Sequence, residues 1–406
     1  MFKFFYLLFL TLGHLLGAPF IFFWSFKEKY RHSLKARFFL KDNFLKSEPI
    51  FWFHACSYGE VKSLEPIIQA LKEPILISVT TNTGFELAAQ TYQNLERIEV
   101  RYLPFETLLF AWKKNLKRLK TLVVTEAELW FNVFDTAQKL GAKTMLINAR
   151  ISVRSYPKYQ RFSFFYALLF KRIDLVLAQS KDDKKRLLNL GAKKVVDFLN
   201  IKRFSKPVIA SFYPKNPSAL NIVLASTHEG EEELGLKAFL ELKKTFENAR
   251  LIVVPRHPER FKSVQNLLQD ALKTTPFSWE CFSSKGFVEC DILLVDRLGE
   301  LNNFYPIADI VILGGSFVKM GGHNPLEPAF FNTRLITGEY IFNQVALFEL
   351  VKPYKIVQKE DLLDALLDYK NLGVVRFLEN GHDLNELLAF IKQINKKDKD
   401  KHGKSL

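Results

Sequence analysis

The chain has 406 residues, 48% hydrophobic and 25% charged, a globular composition with length enough for two domains of ordinary size. Its three cysteines, Cys56, Cys281 and Cys290, are too few and too scattered for a disulfide framework, and they read as buried free thiols in a reducing compartment. The formal net charge of +15 suits an anionic partner: nucleic acid, an acidic membrane face or a phosphorylated small molecule.

Residues 1–26 read as a membrane anchor. Between Phe4 and Phe26 there is no Asp, Glu, Lys or Arg, and as a helix the stretch is about 35 Å long, enough to cross a hydrocarbon core. A cleaved signal peptide is the competing reading. Leu16 stands where that needs a small residue, and Pro19 follows Ala18 directly. Lys27, Lys29, Arg31, Lys35, Arg37, Lys41 and Lys46 come next, an excess that predicts a cytoplasmic location for the rest of the chain. Pro19 leaves three forms open: a span, an embedded hairpin or an interfacial helix.

After the anchor, apolar runs alternate with amphipathic ones. Ile50–Ala55, Pro74–Thr80, Ile98–Leu103, Thr121–Thr125, Lys143–Asn148 and Asp174–Gln179 read as buried strands. Glu60–Lys72, Phe85–Gln93 and Asp182–Leu190 read as intervening helices. Residues 203–219, with Pro207, Pro214 and Pro217, read as a linker. The alternation resumes with Asn221–Ser226, Arg250–Pro255, Asp291–Val295, Ile310–Leu313 and Thr333–Ile336. The pattern predicts an α/β protein of two doubly wound, Rossmann-like domains, 27–202 and 220–395, followed by a charged tail, 396–406.

In open parallel sheets ligands bind beyond the carboxyl ends of the strands. Polar clusters stand at those positions, which points to a cleft between the domains. The most informative is Gly314–Glu327, where two glycine pairs allow backbone amides to approach a ligand closely. Asn324, Pro325 and Glu327 fit N-cap, N1 and N3 of a helix, whose amino end would attract an anion. Capping alone is the plainer reading of Asn324 and Glu327, but it leaves His323 and the glycines unexplained. A P-loop is excluded, because the Gly-Lys-Ser/Thr ending is missing.

The clusters His54-Ala-Cys-Ser-Tyr-Gly-Glu60, Glu128-Leu-Trp130, Asn148-Ala-Arg-Ile-Ser152, Ser226-Thr-His-Glu-Gly-Glu231, Pro255-Arg-His-Pro-Glu-Arg260 and Gly321-Gly-His-Asn-Pro-Leu-Glu-Pro328, taken in this order, resemble those of the 3-deoxy-D-manno-octulosonic acid (Kdo) transferases. The resemblance spans nearly the whole chain. It implies a GT-B glycosyltransferase fold, an amino-terminal acceptor domain and a carboxyl-terminal donor domain. It also implies CMP-Kdo as donor and a lipid A precursor, lipid IVA, as acceptor at the inner membrane in lipopolysaccharide biosynthesis. Carried over residue by residue, it makes Glu60 the general base and Glu128 and Lys202 supporting catalytic groups. It places CMP on Arg256, His257, Leu298, Gly299, Glu300, Asn324, Pro325, Leu326 and Glu327. Two motifs depart from the family pattern: Phe131 replaces the usual proline of Trp-Pro-Asn, and Gly-Asn-Leu-Lys-Phe-Asp reads Leu199-Asn-Ile-Lys-Arg-Phe204.

The chemistry agrees with that mapping. A carboxylate can take the proton of an attacking sugar hydroxyl. For Glu60 the plain alternative is a first-turn acid facing the helix dipole. The monophosphate leaving group carries little charge, so Arg256, Lys202 and backbone amides suffice without a bridging cation. His228, His257 and His323 lack close metal-ligand spacing, so neither a metal nor a cofactor is expected. Glu126 reads as a strand end, Trp130 as core, and the Phe162–Phe170 stretch as a buried face or a membrane border. Phe38, Phe39 and Phe44 among lysines fit an acceptor-facing surface. Two other functions compete: a membrane glycosyltransferase using a different nucleotide sugar and lipid, and a non-catalytic nucleotide-sensing protein. Nucleic-acid binding rests on charge alone and is not expected.

Overall fold

A computed structural model of the chain describes residues 2–378 and 382–392, which fall into two compact units. The expected charged tail, 396–406, lies outside the described residues.

The first unit opens with helices α1 (Phe2–Trp24) and α2 (Arg31–Phe39). A seven-stranded, all-parallel sheet follows, made of β1 (Phe51–Ala55), β2 (Ile75–Val79), β3 (Ile98–Tyr102), β4 (Thr121–Thr125), β5 (Lys143–Ala149), β6 (Leu175–Ala178) and β7 (Val195–Asp197), in the order 3-2-1-4-5-6-7. The central strands read as continuous apolar runs because helices cover both faces. Two cores result: Trp52, Leu76, Leu122 and Leu146 point to one side of the sheet, Phe51, Phe53, Ile77 and Val123 to the other.

The second unit carries another parallel sheet. Its strands are β8 (Leu220–Thr227), β9 (Ala249–Pro255), β10 (Trp279–Cys281), β11 (Ile292–Leu294), β12 (Ile310–Leu313), β13 (Arg334–Thr337) and, after a short β14 (Val351–Lys352), β15 (Lys355–Ile356). Their order is 10-11-9-8-12-13-15, while β14 pairs antiparallel with β16 (Arg376–Phe377). The strand order reverses at β1/β4 in the first unit and at β8/β12 in the second, where β10 also lies outside β11. The crevice beyond such a reversal is where open α/β sheets hold ligands.

Three expectations need correction. The helix Leu384–Lys392, assigned from sequence to the carboxyl-terminal domain, belongs to the first unit. Its Leu387 and Ile391 are fully buried in the core with Phe198, and its last carbonyls accept from Thr121 Oγ1 (3.0 Å) and Lys143 Nζ (2.8 Å). The cation at that helix end also complements the backbone dipole. Of the three free cysteines, Cys281 is buried, whereas Cys56 and Cys290 are half-buried. Within Phe162–Phe170, Leu169 and Phe170 are core, but Phe162 and Phe164 are exposed, which removes the buried-face reading at that end and leaves the membrane-border reading.

Helix α1 is long and apolar enough to cross a membrane. It is also fastened to the first unit. Lys3, Leu7, Leu10, His14, Gly17 and Ile21 are half-covered, while most of its other side chains are exposed.

Candidate active site

In the first unit, the turn after β1 starts helix α3 (Tyr58–Gln69), which places Glu60 in its first turn. Glu60 Oε2 accepts from Cys56 N (2.9 Å) and Thr125 Oγ1 (2.6 Å), and Oε1 accepts from Ser57 Oγ (2.9 Å). The carboxylate thus braces the turn before its helix and is tied across the strand reversal to the end of β4. A carboxylate has about four lone-pair sites, so Oε1 keeps room for one more donor. This bracing and a role as base are compatible. Glu60 is buried, with 8% of its surface exposed.

Glu126 and Glu128 leave the end of β4 in contrasting surroundings. Glu126 sits in the left-handed region at φ 53°, costly for a residue with a side chain, and pairs with Arg150 Nε at 2.9 Å. Burial pushes its carboxyl up, and nearby Glu60 adds to that, against the pull of Arg150 and Lys202. For Glu128, burial acts in the same upward direction. There the contacts with His54, the Trp130 indole and the Arg37 charge together outweigh it, and the carboxyl is held below its usual range. Trp130 Nε1 donates to Glu128 Oε2 at 2.8 Å, so Trp130 positions this carboxylate besides packing on the core. Arg37 reaches the same group from α2, its guanidinium 6.0 Å from the Trp130 ring. Lys202 follows Asn200, whose Oδ1 accepts the Lys202 amide at 3.0 Å. Its charge is felt at Glu126. The structure therefore brings Glu60, Glu128 and Lys202 to one sheet edge and adds Glu126, Arg150 and Arg37. Beside them the Cys56 thiol is pushed up to about 11 by burial, which leaves it an inert neighbour.

In the second unit the glycine-rich segment closes differently from expectation. The amides of Gly315 (2.7 Å), Ser316 (3.1 Å) and Phe317 (2.9 Å) all donate to Glu231, and His228 N (2.9 Å) does so too. The first glycine pair thus wraps a carboxylate of the protein's own, with no open anion hole there. Glycine is needed at both positions: a Cβ on Gly314 would lie 2.5 Å from Ser226 O, and Gly315 has φ +68°. The helix expected after Asn324 is one turn, Leu326–Ala329. Asn324 caps it through Leu326 N (3.1 Å) and bonds Glu327 Oε1 (3.2 Å), as the capping reading proposed. One turn sums too few peptide dipoles to act as an anion site by itself.

The three histidines that lie far apart in sequence meet. His228 Nε2 and His323 Nε2 are 2.9 Å apart with parallel rings, and the His257 ring is 5.4 Å from His228. Burial first, then His228, Arg256 and His257, pull the His323 imidazole down to about 4. Arg256 and His257, exposed at the end of β9, stand beside this group, and the charges of Arg256 and Glu327 both reach the buried Tyr305. Leu298, Gly299 and Glu300 form the turn after β11. There Glu300 accepts from Tyr213 OH (2.9 Å) and Asn303 Nδ2 (2.7 Å).

Sequence reasoning quoted Glu231 and Arg150 within motifs but gave them no role, read Glu126 only as a strand end, and missed Arg37 as a site residue. For Glu126 the signal was two acids spaced i, i+2 beyond a buried strand.

Two doubly wound units in series, each with ionisable groups at a strand reversal, have the GT-B fold. The model of the 3-deoxy-D-manno-octulosonic-acid transferase (kdotransferase) family matches residues 32–205. The chain is 31% identical to the 3-deoxy-D-manno-octulosonic acid transferase of Haemophilus influenzae, over 97% of this chain and 98% of that one. It belongs to the Kdo transferase family. It is also 33% identical to a bifunctional glycosyltransferase/methyltransferase of Fusobacterium nucleatum, over 81% of this chain, and spans about half (53%) of that protein's length. A UDP-GlcNAc 2-epimerase from Neisseria meningitidis has a similar fold, with TM-score 0.51 at 14% identity, covering 85% of this chain and 94% of that one.

Proposed function

We propose that this glycosyltransferase moves Kdo from CMP-Kdo to lipid IVA at the cytoplasmic face of the inner membrane and releases CMP. The observation that carries the reading is the group of Glu60, Glu126 and Glu128 with Lys202, Arg150 and Arg37 at one strand reversal, in a member of the Kdo transferase family. Glu60 takes the proton of the acceptor hydroxyl as its oxygen attacks the anomeric carbon. The bond from that carbon to the CMP phosphate breaks, and its electron pair leaves with the phosphate. Glu128, kept anionic by its neighbours, offsets positive charge developing on the sugar, and Lys202 steadies the departing anion. Arg256 and His257 meet the phosphate. Leu298 to Glu300 and Asn324 to Glu327 hold the rest of CMP.

Incubating the full chain with CMP-Kdo and lipid IVA, then weighing the lipid by mass spectrometry, tests this directly. The expected product is heavier by whole Kdo units. Transfer from a different nucleotide sugar, with CMP-Kdo inert, would give the activity to another donor. Glu60→Gln should fold and bind CMP normally while losing turnover at least about a hundredfold.

A further inference from the structure

Helix α1 meets the first unit along its whole length. The half-covered positions 3, 7, 10, 14, 17 and 21 alternate spacings of four and three, the repeat of a helix lying lengthwise on a surface. Polar bonds fasten this stripe. The Lys3 ammonium binds the buried Asp135 carboxylate, Tyr6 OH donates to Glu106 Oε2 (2.5 Å), and His14 bonds Thr107 Oγ1 (2.9 Å) and the Phe38 carbonyl (3.0 Å). Rings hold both ends: Phe2 lies 5.4 Å from Phe131, and Phe22 lies 6.1 Å from Phe39. These two ends are about 30 Å apart along the axis.

A bilayer-spanning helix touches its water-side domain at one end. Here the first residues, the middle and the last turn all touch the same unit. To span with these contacts intact, Asp135, Glu106 and Thr107 would have to enter hydrocarbon together with the unit that holds them, which polar groups resist.

The opposite face is apolar. Phe9 is 76% exposed, Leu16 76% and Phe20 71%. Next to the segments that fasten α1, Phe110 (70%) and Phe164 (71%) also face outward. Basic side chains border this surface, with Lys113, Lys114 and Lys117 exposed beyond Phe110 and Lys158 and Arg161 exposed before Phe164. Aromatic groups above a row of cations match the headgroup layer of an anionic bilayer.

We propose that α1 lies flat in the membrane–water interface, as the middle of a lipid-binding face that also includes Phe110 and Phe164, and does not cross the bilayer. The inference rests on the membrane location proposed above and is independent of donor and acceptor. Its test reads topology without turnover, so either idea can fail alone.

The full chain, with a protease-cleavable tag ahead of Met1, is reconstituted into sealed vesicles of phosphatidylethanolamine and phosphatidylglycerol. External protease should remove the tag from every molecule whose catalytic units face outward. A fluorescent amino acid installed at Phe5, Leu12 or Phe20 should be quenched to the same extent by brominated lipids, at one shallow depth. Lys113→Glu, Lys114→Glu and Lys117→Glu combined should melt normally yet bind anionic vesicles at least about tenfold more weakly. A protected tag with Leu12 deepest would establish a span and overturn the proposal. A full chain that ignores vesicles and instead pairs with a second copy through Phe9 and Phe20 would overturn it as well.

Discussion

His228 and His323 share one contact between identical atoms, so one Nε2 must donate and the other accept, and a proton added to the accepting nitrogen would make a cation and break the bond. Burial also pulls His228 down, and Arg256 adds to the effect. The sign of the consequence follows from the His323 imidazole lying near 4 in the fold against an ordinary value of 6.5. Protons favour the unfolded chain, so this contribution to stability is complete above about pH 6.5 and is lost as pH falls toward 4. A shift of that size bounds it at about 3 kcal/mol. Thermal melts of the full chain at pH 7 and pH 4.5 should show the loss, and His323→Asn should flatten it. An unchanged slope in that variant would assign the acid sensitivity elsewhere. Glu126 and Glu128 make the same point about surroundings: two identical side chains, two residues apart, are driven in opposite directions by what each touches.

At the scale of elements, the Gly314–Phe317 turn is bound to the start of the helix Glu231–Lys243 through one carboxylate. Glu231→Gln replaces one accepting oxygen with a donor that faces backbone N–H groups. Charge-assisted bonds of this kind contribute about 1.5–3 kcal/mol each to stability, and relaxation recovers part of that loss. Glu231→Gln should therefore lower the melting temperature of the full chain and weaken CMP binding in calorimetry, whereas Glu233→Gln, exposed on the same helix, should change neither. Nothing in the amino-acid order revealed this clasp, because 84 residues separate Glu231 from Gly315 and the adjacency of β8 and β12 brings them together. The central strands were legible, since strands covered on both faces must be apolar throughout. Of the four edge strands only Ile98–Tyr102 was legible; Val195–Asp197, Trp279–Cys281 and Lys355–Ile356 are short and carry little apolar periodicity. The family resemblance of the motifs marked Glu60, Glu128 and Arg256 as candidates, and local order marked Asn324 as a cap. What each touches depended on strand order, which periodicity does not encode.

At the scale of the whole molecule, residues 206–378 form a unit of their own between two parts of the first, 2–205 and 382–392. Ending the chain at residue 380 removes Leu387 and Ile391 from the first unit's core. Burial of two such side chains is worth about 3–6 kcal/mol, so the truncated protein should melt well below the full chain. Equal melting temperatures would mean that the last helix is dispensable. The same arrangement sets a schedule for synthesis. The ribosome makes nearly all of the first unit, then the entire second unit, and only afterwards the helix that seals the first. At ordinary elongation rates the wait is about 10–40 s. Throughout it, the groove that will receive Leu387 and Ile391, beside Phe198, is open to water and to neighbouring chains. The nascent protein is thus most exposed to aggregation late in translation, when its first sheet is already built but unsealed, and a chaperone that shields apolar surface would matter most in that interval.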